Sequence, residues 1–342
     1  MFIHVPTAPG ALRRTTAITR PPVTHQQTLN VMGEALLFQT NHADLLAAAV
    51  EAFARYPNPP PCDQPLVMQL FVDDPHISRT QGQPHPKPVF HAVGHLLYLT
   101  VGGDNTVVVD LQRGYVMGFV TPAVAADRAF VRSTFVETAA LAMLGLARDF
   151  VPVHAACVVK DGVSLLIHGK AGVGKSTLAF ACLRHGFRVL AEDVVHIKVG
   201  QRELRLWGAP WTFHLLSDSL RFFPEATHYP LHQQINGEWK IKVELDNLFP
   251  AATLTNAAPG LVVLLERATG NQPTGYRPLS VEEARAAFEV VWSWEIGWKA
   301  EYEVALSHLL TQGAYRLYMN GTPDEAVAVL VELIAEWKSR VQ

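Results

Sequence analysis

The feature that most constrains this chain is the octapeptide Gly169-Lys170-Ala171-Gly172-Val173-Gly174-Lys175-Ser176. It satisfies every specified position of G-x-x-x-x-G-K-[ST], in which backbone amides cradle phosphate, the lysine reaches the β- and γ-phosphates and the hydroxyl holds Mg²⁺. Its flanks agree. Val163-Ser164-Leu165-Leu166-Ile167 is a short apolar run of buried-strand type, and Ser176 to Leu183 reads as a helix ending near Gly186. Strand, glycine-rich turn and helix N-terminus in that order put a row of N–H groups and the helix dipole where an anion can sit. The expected ligand is ATP or another nucleoside triphosphate. Gly169, Lys170, Ala171, Gly172, Val173, Gly174, Lys175, Ser176 and Thr177 would hold it, with Ser176 on Mg²⁺.

What surrounds the loop bounds the rest. A chain of 342 residues is comfortable for two domains, and 49% hydrophobic with 17% charged residues describes a globular protein with a sizeable core. A formal net charge of -3, with no basic run, argues against a nucleic-acid partner. Cys62, Cys157 and Cys182 are isolated and odd in number, which fits a reducing compartment better than a disulfide framework. Met1 to Pro6 lacks the pattern of a signal peptide, and no uninterrupted apolar stretch approaches membrane-spanning length. The expectation is a cytoplasmic protein with no membrane partner.

Along the chain, residues 1–30 read as a loose arm or one edge strand, and Asp44 to Tyr56 as a helix stopped by Pro59-Pro60-Pro61. Leu66 to Val72, Val89 to Val93, Leu96 to Val101, Thr106 to Leu111 and Tyr115 to Val120 are strand-like runs punctuated by glycine turns. Asp127 to Leu146 is a long helix. The boundary falls near Asp149, giving an N-terminal α+β domain (1–149) with a mostly antiparallel sheet, and an α/β domain (150–342) carrying the loop. In the second domain Phe150 to Val159 and Val163 to Ile167 form an expected hairpin. Strands follow at Phe187 to Ala191, Val194 to Val199, Glu203 to Trp207, Leu261 to Glu266 and Ala314 to Met319. Helices are expected at Val281 to Trp292 and from Pro323 to Arg340, the last capped by Thr322.

Ligands in open α/β sheets lie beyond the C-terminal strand ends, and Glu192-Asp193 occupies such an end. One carboxylate there can complete the Mg²⁺ shell begun by Ser176, and the other can take a proton from an attacking hydroxyl. His154, in Val151-Pro152-Val153-His154-Ala155-Ala156, reads by itself as a core histidine, and His168 only borders the site. Lys240 and Lys242 alternate on one strand face, either toward acceptor or phosphate or along a solvated edge strand. Trp292, Trp294 and Trp298 read as a helix end packed into the core.

The stretch His154-Ala155-Ala156, Asp161-Gly162, the loop, and Arg184-His185-Gly186-Phe187-Arg188-Val189-Leu190-Ala191-Glu192-Asp193 resembles the HPr kinase/phosphorylase family, and above all its broader HPr-kinase-related group. The likeness covers residues 152–198, about one seventh of the chain. It implies a core shared with the phosphoenolpyruvate carboxykinases and transfer of phosphate to a seryl hydroxyl. By position it implies Glu192 as catalytic base, His154 as the partner that assists it, Lys175 on the transferred phosphate, and Asp193 as metal ligand with Ser176. Glutamate stands where the family has aspartate. Arg205-Leu206-Trp207-Gly208-Ala209-Pro210 stands roughly where the family has the glutamate-arginine-glycine signature tied to phosphorylase activity. The expectation is therefore an ATP- and Mg²⁺-dependent kinase without phosphorylase activity. Its acceptor would be a peptide, a protein or a small hydroxyl compound such as free serine, other than HPr, and the family's habit allows a homo-oligomer. The alternative is a nucleotide-binding regulatory module with no acceptor.

Overall fold

The computed structural model describes residues 21–73, 85–200, 203–234, 237–288 and 299–341. In the first part β1 (His25–Val31) and β2 (Glu34–Thr40) form a hairpin, followed by α1 (Ala43–Phe53) and β3 (Leu66–Val72). Then come β4 (Pro88–Val93), β5 (Leu96–Val101), β6 (Asn105–Asp110) and β7 (Tyr115–Val120). The sheet order is β1-β2-β3-β7-β6-β5-β4. It is mostly antiparallel, as expected, but central β3 runs parallel to both of its neighbours. The edge-strand reading of the first 30 residues holds for β1; residues 1–20 lie outside the described residues. β2 was not anticipated. Glu-Ala-Leu-Leu-Phe-Gln has no β-branched residue and a helix-like composition, yet pairing on both edges makes it a strand. Met32 and Gly33 turn the hairpin with φ of 53° and 87°, both in the left-handed region that a two-residue type I′ turn needs.

One face of this sheet is covered by α1 and by a compound helix. After the single turn α2 (Pro122–Ala125), α3 (Arg128–Phe130) leads into a π-helical stretch, Val131–Glu137, and then α4 (Thr138–Arg148). Asp127 caps α3 by accepting the Phe130 N–H at 3.0 Å, and Asp149 ends α4 in the left-handed conformation. The expected helix is therefore present, but its middle is widened to π. Residues 128–148 are long and apolar enough to cross a membrane by length and composition, a property hidden in the sequence by Arg132 and Glu137; half of that stretch is buried. Its Phe135, Val136, Ala139 and Leu144 join Phe38, Leu45 and Phe53 in one apolar core.

In the second part the expected strand Phe150 to Val159 is broken at Ala155. Its first half, β8 (Phe150–His154), and its second, β9 (Ala156–Lys160), belong to different sheets. β9 does form the expected hairpin with β10 (Val163–His168), turning at Asp161 and Gly162, both at positive φ. Next come α5 (Lys175–Arg184), β11 (Arg188–Ala191), β12 (Val194–Lys198), β13 (Leu206–Trp207), β14 (Thr212–Leu215), β15 (Leu231–Gln233) and β16 (Trp239–Glu244). The chain finishes with α6 (Leu245–Leu248), β17 (Asn256–Ala257), β18 (Leu261–Arg267), β19 (Gly275–Leu279), α7 (Val281–Ala287), α8 (Lys299–Leu309), β20 (Ala314–Met319) and α9 (Pro323–Val341). Thr322 caps α9 as expected. Helix α8 was not foreseen, and Trp292, Trp294 and Trp298 lie outside the described residues.

The central sheet has the order β11-β9-β10-β18-β20-β19, with β10, β18 and β20 parallel. A second sheet is β17-β13-β12-β8, and a third is β14-β16-β15. Helices α5 and α9 bury Leu178, Phe180, Val327 and Leu330 on one side of the central sheet, while α7 and α8 bury Ala284, Ala305 and Leu309 on the other. The two parts of the chain touch directly. The Tyr56 hydroxyl donates to the Gly208 carbonyl at 2.7 Å, and Arg148 and Lys198 both reach Glu34.

Candidate functional site

The glycine-rich loop leaves β10 at His168 and enters α5 at Lys175. Close packing against β18 demands its first glycine: a Cβ on Gly169 would lie 2.7 Å from the Leu265 carbonyl oxygen. Gly172 has φ of 76° with open space where a side chain would stand, so backbone conformation rather than packing favours glycine there. No side chain caps α5. Its first-turn amides are therefore open to an anion, and its dipole favours one. The Lys175 ammonium folds back on the loop, donating to the Gly169 carbonyl at 2.8 Å and the Lys170 carbonyl at 3.3 Å. Burial holds its pKa below the usual lysine value; Asp193 and Glu192 oppose that shift, and Lys240 adds to it.

The acidic pair sits at the bend between β11 and β12. Ser176 Oγ donates to Glu192 Oε1 at 2.6 Å, and His214 Nδ1 lies 3.2 Å from Glu192 Oε2. Asp193 turns the other way, its Oδ1 3.2 Å from His154 Nδ1. The Glu192 side chain is 11% exposed and that of Asp193 61%, so two neighbouring carboxylates occupy different environments. His154 is thus brought to the second acid. The family likeness would have set it against the first, where His214 stands instead. Burial lowers the His154 pKa, with Asp193 pulling it back. Its backbone carbonyl receives the Nδ1–H of His168, at 2.8 Å, whose ring stacks on Phe288 with centroids 4.3 Å apart. His168 is a buried support of the site's floor, and its pKa too is lowered by burial.

Four residues were missed or misplaced in the sequence. His214 faces opposite to buried Phe213 on β14, a period-2 signal, but only the fold shows that this face covers Glu192. Lys240 and Lys242 are on the central strand of the third sheet and not on an edge. Arg267, at the C-terminal end of β18, brings its guanidinium 3.3 Å from where a Cβ on Gly174 would be. That is a cation at the loop which no motif announced.

Among the described residues no group of three or more His, Cys, Asp or Glu side chains could hold a metal by itself. The loop instead presents one hydroxyl and one carboxylate within hydrogen-bond contact of each other. That partial donor set suits Mg²⁺, which keeps several waters and takes its remaining oxygens from substrate phosphates.

No family model matches the chain. It is 44% identical over 56 residues to a protein named "Putative HPr kinase/phosphorylase 2" from Oceanobacillus iheyensis, covering 16% of this chain and 18% of the relative. It is 40% identical over 58 residues to an HPr kinase/phosphorylase from Geobacillus thermodenitrificans, covering 17% and 19%. The chain thus spans less than a fifth of the length of these curated relatives. Among solved structures, the HPr(Ser) kinase/phosphatase from Coxiella burnetii covers 56% of this chain and 94% of its own, at 14% identity and a TM-score of 0.34. Over those stretches the chain is similar to HPr kinase/phosphorylases.

Proposed function

We propose that this chain is an ATP- and Mg²⁺-dependent kinase that transfers a phosphoryl group to a hydroxyl, with the serine of a peptide or protein, or free serine, as acceptor. The observation that carries this reading is the division of labour in Glu192-Asp193, one carboxylate on the loop serine and the other exposed beside a histidine. Ser176 and Glu192 would hold Mg²⁺, which supplies charge neutralisation between the phosphates. Lys175 would exchange its two loop carbonyls for a phosphate oxygen. Asp193, open to solvent and backed by His154, is placed to receive the acceptor's proton. As the acceptor oxygen bonds to the γ-phosphorus, the bond to the ADP oxygen breaks and the hydroxyl proton passes to Asp193.

This assigns metal and base the other way round from the family likeness. The contacts favour it because the loop serine meets Glu192 rather than Asp193. The segment Arg205 to Pro210 in place of the phosphorylase signature supports transfer in the forward direction only, and to an acceptor other than HPr.

The test is incubation with γ-labelled ATP, Mg²⁺ and candidate serine peptides or extract. Wild type should label an acceptor. Asp193→Asn should bind Mg-nucleotide normally and lose transfer, whereas Glu192→Gln should need far more Mg²⁺. Full transfer by Asp193→Asn would reverse the assignment. Label appearing only as free phosphate would favour a nucleotide-dependent switch.

A further inference from the structure

We propose that Lys240 supplies a second cation to the terminal phosphate, from the acceptor side of the loop and opposite Lys175. This rests on the nucleotide-binding reading above. On β16, Ile241 and Val243 are buried in the core, so alternation turns Lys240, Lys242 and Glu244 to the other face. The register sets Lys242 opposite His214 on β14 and Lys240 opposite His232 on β15. His214 touches Glu192, so this polar face closes over Glu192 beside the loop.

The two lysines on that face have different surroundings. Lys242 pairs with Glu244 at 3.3 Å and faces Glu137 of the π-helical stretch. Lys240 pairs with Glu238 at 3.6 Å, and its ammonium also lies close enough to Lys175 and His154 to act on the pKa of both in the lowering direction. Ammonium groups close to one another repel, while Glu192 and Asp193 act on Lys175 in the opposite sense. A multiply charged anion between them relieves that repulsion. In phosphoryl transfer the charge lies on the equatorial oxygens of the moving group, so cations on two sides stabilise it.

The discriminating measurement is calorimetric binding of Mg-ADP and of the non-hydrolysable Mg-AMPPNP, which differ by the terminal phosphate. Wild type should bind both. Lys240→Met should hold Mg-ADP within about 2-fold while losing roughly 10-fold or more for Mg-AMPPNP, the size of one lost charge-assisted contact. Lys240→Arg should restore most of that loss, and Lys242→Met should change neither affinity. Unchanged Mg-AMPPNP affinity in Lys240→Met overturns the proposal. So does equal loss of both nucleotides, which would mean that Lys240 serves the fold. If wild type binds neither nucleotide, the kinase reading fails first and this inference with it.

Discussion

The two parts of the molecule bury polar groups for different ends. In residues 25–150 the buried polar side chains Asn30, Gln69 and Asn105 are tied into turns and strands: Asn105 bonds the Val101 carbonyl and the Thr121 amide, and Asn30 the Gly33 amide. Gln69 donates to the Gln39 side chain and accepts from the Tyr115 hydroxyl, so these groups are satisfied within the sheet and its turns. Beyond residue 150 the buried set includes Lys175 and His168, both gathered at one loop, with Glu192 close behind. A lysine held with its charge disfavoured and an acid on the loop hydroxyl do little for stability; on the function proposed above they would serve a phosphate ligand.

The strongest way to break this contrast is Lys175→Met. It should reduce transfer by roughly 10³-fold or more while leaving the denaturation midpoint nearly unchanged, as read by labelled-ATP turnover and chemical unfolding side by side. A large loss of stability would show the loop lysine to be structural. Phe135→Ala should do the reverse. This fully buried side chain of the first core should cost about 3–5 kcal/mol of stability, while the protein that remains folded keeps its affinity for Mg-ADP.

A smaller effect tests the seam between the parts. Burial raises the Glu137 pKa to about 7; Arg132 and Lys242 oppose the shift and Glu244 adds to it. The folded protein therefore keeps a proton that the unfolded chain releases near pH 4.5. Stability from this group is full below that pH and is lost as pH rises toward 7. Glu137→Gln should flatten that slope and raise stability at pH 8 by about 1–3 kcal/mol, measured by urea unfolding across pH. Tyr56→Phe, which removes the hydroxyl bonded to Gly208, should cost only about 1 kcal/mol.

Much of the fold was legible because it is local. The runs at Leu66–Val72, Leu96–Val101 and Tyr115–Val120 are largely apolar, Gly102 follows the second and Gly114 precedes the third, and each is a strand with those bounds. What was hidden is non-local. β2 is a strand because two neighbours pair with it, and Ala155 divides one apolar run because the flanking halves find partners in different sheets.

The same division runs through the site. By itself the sequence determined the loop, since its glycines, its lysine and its serine act through backbone angles and helix position within eight residues. It also put two carboxylates at a strand end. Which histidine meets which carboxylate was decided only in three dimensions, because it depends on β8 pairing with β12 and on β14 crossing to the third sheet. Neighbouring side chains at a bend point apart, so Glu192 and Asp193 fall to different partners. No spacing in the chain records how separate sheets pack over one another.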